Sequence, residues 1–123
     1  MKLENIKFKA KRLDGKGWAI GDLLHSYENG AIIVPIEGGG AFSVDPSTIC
    51  QFTGLKDSKG QEIWEGDILE GESEFEIVFT KGAFATHSID GYGKVYSYPL
   101  CYFEKEDGMI DSKVVGNKFD KEK

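Results

Sequence analysis

The chain has 123 residues, 40% of them hydrophobic and 29% charged, with 16 glycines against 3 prolines. This composition supports one globular core and excludes a disordered tail, a collagen and a disulfide scaffold. Fifteen basic and 21 acidic residues leave a net charge of -6, which argues against sequence-independent binding to a polyphosphate.

The opening segment, Met1-Lys2-Leu3-Glu4-Asn5-Ile6, lacks the apolar stretch of a secretory signal. The longest apolar run, Ala31 to Ile36, is too short to cross a bilayer. A cytoplasmic protein without membrane contact is therefore expected, with Cys50 and Cys101 reduced. Period-two alternation dominates. Ile6, Phe8 and Ala10 alternate with Lys7, Lys9 and Lys11, and Phe75, Ile77 and Phe79 alternate with Glu74, Glu76 and Val78. Such alternation buries one strand face and wets the other. Strands are predicted over 6–12, 17–25, 31–36, 41–44, 50–54, 67–71, 74–80, 84–89, 94–98, 100–105 and 113–118. Turn signals separate them: Asp14-Gly15, Glu28-Asn29-Gly30, Gly38-Gly39-Gly40, Asp57 to Gly60, Asp90 to Gly93 and Asp107-Gly108, with Asp14-Gly15 and Asn29-Gly30 expected to supply the positive φ angles of tight hairpins. Asp45-Pro46-Ser47-Thr48 predicts a single helical turn, with Asp45 as cap and Pro46 at its first position. Residues 120–123 are charged and predicted to fray.

The expected fold is all-β, with short antiparallel strands in a small barrel or sheet assembly and at most one or two short helical turns. Gly21-Asp22 and Gly66-Asp67 each precede an aliphatic pair, a step that recurs in small SH3-like barrels. Coincident turn chemistry explains this echo better than a duplication. One domain over 1–119 is expected, with two closely packed β subdomains, about 1–60 and 61–119, as the alternative.

No histidine, cysteine or carboxylate spacing marks a metal site, and no cofactor motif is present. His25 and His87 are the two histidines; Asp22 and His25 fall on opposite strand faces, His87 lies between Thr86 and Ser88, and nothing local activates Cys50 or Cys101 as a nucleophile. Gly38-Gly39-Gly40 lacks the Lys-Ser/Thr and helix of a phosphate cradle and reads as a hairpin loop. The acids Glu62, Glu65, Asp67, Glu70, Glu72, Glu74 and Glu76 read first as a solvated face. A divalent-cation site, paired acid–base carboxylates and mimicry of nucleic-acid charge are the sharper alternatives. Lys7, Lys9 and Lys11 share one strand face, about 6.6–6.8 Å apart, with Arg12 beside them. Protection of a sheet edge is the first reading of these cations. Docking on the acidic run of another copy comes second, and nucleic acid third. Tyr96, Tyr98 and Tyr102 are candidates for a groove or interface, against a half-buried sheet face.

The stretch from Gln51 to Leu69 carries Gln51, Phe52, Thr53, Gly54, Leu55, Asp57, Gly60, Ile63, Trp64, Glu65, Gly66, Asp67 and Ile68. It resembles the signature of the YopX-like family of phage and prophage proteins, Gln-[FY]-Thr-Gly-Leu-x-Asp-x-x-Gly-x-x-Ile-[FYW]-Glu-Gly-Asp-Ile. The opening, Ile6 to Ala10 with Trp18 and Gly21-Asp22-Leu23, and the closing Val114-Val115-Gly116-Asn117 are also similar to that family. Lys118-Phe119 departs from its usual acidic or aromatic continuation. The resemblance implies a mainly β fold and a bacterial host. It brings no catalytic residues. The motif itself reads as turn chemistry: Asp57 bonds the backbone two residues on, Gly60 takes a positive φ, and Gly66-Asp67 form a second turn.

The expectation is a non-enzymatic phage or prophage accessory protein acting by protein contacts. A homo-oligomer and a host or phage protein partner are both in view. Nucleic-acid binding through the N-terminal lysines and a metal-dependent enzyme built on residues 62–76 are the alternatives.

Overall fold

The computed structural model describes residues 2–71, 73–105 and 108–120. Among the described residues the protein is all-β: strands dominate, no helix reaches seven residues, the antiparallel sheets do not close into a barrel, and five short 3₁₀ turns stand where one or two were expected. The sheet form of the expected fold is therefore the one present. The chain divides into two compact units, 1–52 and 53–123. The division falls inside one strand.

The first unit holds β1 (Phe8–Lys11), β2 (Trp18–His25), β3 (Ala31–Val34), β4 (Phe42–Val44) and the start of β5 (Cys50–Lys56). Here the strand order is β4-β3-β2-β1-β5. Phe8 and Ala10 point to the side that buries Ala19, Ala31, Ile33 and Val44. Phe8, Leu23, Phe42 and Ile49 pack around these residues. Three of the five buried residues are alanines, so little side-chain volume separates the backbones here. One bridge, Arg12 to Val44, joins the end of β1 to β4. Asp45 caps the 3₁₀ turn Pro46–Thr48 as expected, its Oδ1 accepting from the Ser47 N–H at 3.0 Å. Thr48 Oγ1 then accepts from the Lys11 N–H at 2.8 Å.

Two expectations for this unit need correction. β1 is not an edge strand, because β2 and β5 pair with its two sides. Edge protection is therefore not the role of its lysines. In the turn at 28–30, the left-handed residues are Glu28 (φ 57°) and Asn29 (φ 66°), while Gly30 sits at φ -80°. Asparagine tolerates that region through local polar bonding, and the turn has moved one residue upstream.

The second unit contains the end of β5, β6 (Glu62–Trp64), β7 (Asp67–Glu70), β8 (Glu74–Thr80), β9 (Ala83–Ile89), β10 (Val95–Pro99) and β11 (Lys113–Asn117). β6 neighbours β5, and the larger sheet runs β10-β9-β8-β7-β11. Ile63, Leu69, Ile77, Leu100 and Ile110 form its core. The strand expected over 100–105 is instead a 3₁₀ turn, Leu100–Phe103. Pro99 ends β10 because it has no N–H for a ladder, and the turn drives Leu100 into the core at 2% exposure. The β8–β9 hairpin turns through Lys81 (φ 52°) and Gly82 (φ 81°), the signature of a type I′ loop. This turn is not among those predicted from the sequence. Lys118–Asp120 form a 3₁₀ turn, so Asp120 belongs to the fold. The remaining tail, 121–123, lies outside the described residues, as do Asp107 of one expected turn and Glu72 of the acidic run.

Candidate functional site

The signature segment folds around two buried carboxylates of the second unit. Asp57 is 1% exposed. Its Oδ1 accepts from the Lys59 and Gln61 N–H groups, both at 2.8 Å. Its Oδ2 accepts from the Val114 N–H at 2.9 Å, 57 positions along the chain. Gly60 takes φ 82° so that the turn can fold back onto this carboxylate. Burial pushes the Asp57 carboxyl up, but the N–H groups of Val114, Gln61 and Lys59 outweigh it and hold the carboxyl below the ordinary aspartate range.

Asp67 is the second centre, 3% exposed. It accepts from the Trp64 N–H at 2.7 Å and from Asn117 Nδ2 at 2.9 Å. The intervening turn needs Gly66 at φ 87°. Gly66 N–H donates to the Ile77 carbonyl at 2.7 Å, and its own carbonyl accepts from Lys118 N–H at 2.9 Å. Asn117 completes the arrangement: Nδ2 also reaches the Glu65 carbonyl at 3.3 Å, and Oδ1 accepts from Phe119 N–H at 2.9 Å.

The other signature residues fit the same scheme. Thr53 Oγ1 donates to the Ile63 carbonyl at 2.7 Å and accepts from Leu55 N–H at 3.1 Å. Gly54 takes φ 86°. Leu55 packs on the core that contains Ile63, Trp64 is 5% exposed, and Ile68 lies between Glu76 and Gly116. Gln51 belongs to the first unit and stands opposite Phe8. Two backbone-binding carboxylates, each tied to β11, thus account for most of the motif. The sequence had flagged Val114 and Asn117 only by resemblance. The stretch also carries Glu62, Glu65, Lys56 and Lys59, so nothing local singled out Asp57 and Asp67 as the acids that would be buried and need donors. Replacing Asn117 with alanine is expected to destabilise the second unit by about 2–3 kcal/mol, because it removes a donor to a buried carboxylate. A urea titration followed by circular dichroism measures this.

The Gly-Asp echo does not extend to structure. Gly66 occupies a left-handed turn and Asp67 is buried, whereas Gly21 and Asp22 lie within β2 and Asp22 is exposed.

In the first unit, the β1 cations rest on aromatic rings. Lys7 Nζ lies 4.8 Å from the centre of the Phe52 ring; Lys9 and Lys11 lie 4.4 and 4.7 Å from that of Trp18. The Arg12 guanidinium stands 4.1 Å from the Phe42 ring centre and pairs with Asp14 at 2.6 Å. These are cation–π distances.

In the second unit, Tyr96 and Tyr98 line one cleft together with Phe75 and Phe103. Tyr102 stacks on Tyr98, with ring centres 6.0 Å apart, and is 74% exposed. Tyr96 OH donates to Asp90 Oδ2 at 3.0 Å, a bond that raises the phenol's proton affinity. Asp90 Oδ1 also accepts from the N–H groups of Lys94 and Tyr92, at 3.0 and 2.8 Å, and its carboxyl is held low. Phe75 was legible only as an alternating residue of β8, while Phe103 and Asp111 reach the cleft through a 3₁₀ turn and a loop that no local pattern placed beside the sheet.

Glu74 stands opposite Glu70 across β7–β8, and Glu76 pairs with Lys118 at 3.3 Å. Among the described residues, no three His, Cys, Asp or Glu side chains converge as metal ligands. Cys50 is buried, its thiol donating to the Thr48 carbonyl at 3.4 Å, and Cys101 is exposed; neither is in a disulfide. No helix among the described residues is long and apolar enough to cross a membrane.

No curated protein matches the chain. The family model described as YopX protein matches residues 7–121, spanning both buried carboxylates and their β11 partners, and the chain belongs to that family.

Proposed function

We propose that this protein is a phage- or prophage-encoded accessory factor of the bacterial cytoplasm that works by protein contacts, and that it associates with itself through the β9–β10 hairpin. The observation that carries this reading is the surface of that hairpin. Ile89 and Val95 face each other across it, 61% and 53% exposed, and Tyr92 at its tip is 99% exposed. β10 also ends the strand order of its sheet among the described residues. An edge strand beside an apolar pair is a template for another strand. A second copy added antiparallel would continue the sheet and bury the same patch twice, as two-fold symmetry requires.

Nucleic-acid binding through Lys7, Lys9 and Lys11 is less well supported. Their ammonium groups already rest on Phe52 and Trp18, and the net charge is -6. Sedimentation velocity over a range of concentrations tests the preferred reading. A dimer is expected for the native chain and a monomer for Val95→Lys, which places a charge on the patch while leaving the core untouched. A native chain that stays monomeric, or a dimer that Val95→Lys leaves intact, contradicts it.

A further inference from the structure

The cleft of the second unit has a volume of about 410 Å³, within the range of small-molecule sites. Aromatic rings form its walls. Phe75 and Phe103 lie with planes 19° apart and centres 6.0 Å apart, and Tyr98 meets Phe103 edge-on at 6.1 Å. Ser88 and Asp111 are among its polar lining residues, and among the described residues no lysine or arginine lines it. The cleft is also held in shape. Asp90 fixes the Tyr96 hydroxyl, and the Thr86 hydroxyl is engaged by the Tyr98 backbone at 3.3 and 3.4 Å.

These features select among ligand classes. A nucleotide or other phosphate ester would meet the Asp111 carboxylate, which Lys105 offsets only weakly, 3.8 Å away and with both side chains exposed. Phe75 and Phe103 already stack on each other, so they leave no slot that would sandwich a planar base. A neutral sugar ring fits better. Its C–H face carries partial positive charge and suits the negative face of an aromatic ring. Its hydroxyls can donate to a carboxylate and exchange hydrogen bonds with serines. The Asp111 carboxylate has acceptor capacity for this, since its ion pair with Lys105 is long, 3.8 Å, and exposed at both ends.

We propose that this cleft binds a short neutral saccharide, with Tyr98 as stacking platform and Asp111 as hydroxyl acceptor. Saturation-transfer NMR on the full chain provides the test, with cellobiose, maltose, lactose and chitobiose as millimolar probes and adenosine as the comparison. Transfer to the ring C–H protons of at least one disaccharide is expected. Its affinity should fall by about tenfold or more in Tyr98→Ala and in Asp111→Asn. Asp111→Asn alters an exposed side chain, so its thermal unfolding should match the native chain and separate lost binding from lost folding. The proposal is overturned by silence from all four sugars, by transfer that both variants retain, or by transfer to adenosine alone. Val95→Lys should bind sugar as the native chain does, so this result is independent of the self-association result.

Discussion

Replacing Asp57 with alanine is expected to destabilise the second unit by about 3–5 kcal/mol. Three backbone N–H groups converge on this one carboxylate, from Lys59, Gln61 and Val114. At 1% exposure, water cannot readily replace it, so the substitution strands buried donors as well as removing bonds. Hydrogen bonds to a charged group each contribute about 1.5–3 kcal/mol. The three share one acceptor and do not add in full, which sets the lower total. Asp57→Asn keeps the shape but has one carbonyl oxygen and an amide that cannot accept, so Val114 or the 59–61 turn loses its partner. Its loss should fall only modestly short of the alanine variant. Urea denaturation of both variants measures the effect.

The same carboxylate sets an acid limb. Its folded pKa lies below the ordinary aspartate value of 3.8. The stabilisation is therefore complete above about 3.8, the unfolded value, and is lost as pH falls from there through the folded pKa. Asp57→Asn lacks this contribution at every pH, so its stability should decline less steeply over that window.

Gly21→Ala is the second large effect, expected to destabilise the first unit by about 3 kcal/mol or more. Gly21 lies within β2, opposite Phe8 of β1. A Cβ there would lie 2.2 Å from the Val34 carbonyl oxygen and 2.7 Å from Pro35 Cα. Both are backbone atoms, so no side chain can swing aside, and β3 must move away from β2. Gly91→Ala is the matched control. Its Cβ meets nothing within 4 Å, and its φ is outside the left-handed region. That change should stay within about 0.5 kcal/mol of the native chain.

Gly21 also shows where sequence reading stops. Next to Asp22 it looked like a turn glycine, whereas its reason is a close backbone approach that only the sheet creates. Local patterns were readable. The alternation of Phe8 and Ala10 with lysines placed β1, and the Asp45-Pro46 cap and the Asp57-to-Gly60 turn each follow from chemistry within four residues. Features that depend on distant neighbours were not readable. Nothing around Lys7 to Lys11 reveals that β5 covers the other side of β1. Leu100 to Phe103 is apolar without a period, and Pro99 together with the core position of Leu100 decides its 3₁₀ form. The bond from Val114 to Asp57 spans 57 positions, and no local rule pairs them. The cleft around Tyr98 draws on separate strands, a 3₁₀ turn and a loop, so only its tyrosines were visible beforehand.

The central structural claim is that the family signature is built around the buried, ionised carboxylate of Asp57. Carbon-detected NMR titration of that carboxyl group, with the Val114 amide followed in parallel, tests it most directly. The account predicts a midpoint below 3.8 in the folded protein and a Val114 amide shift that moves with it. A midpoint at or above 3.8, or a Val114 amide indifferent to the titration, would contradict it.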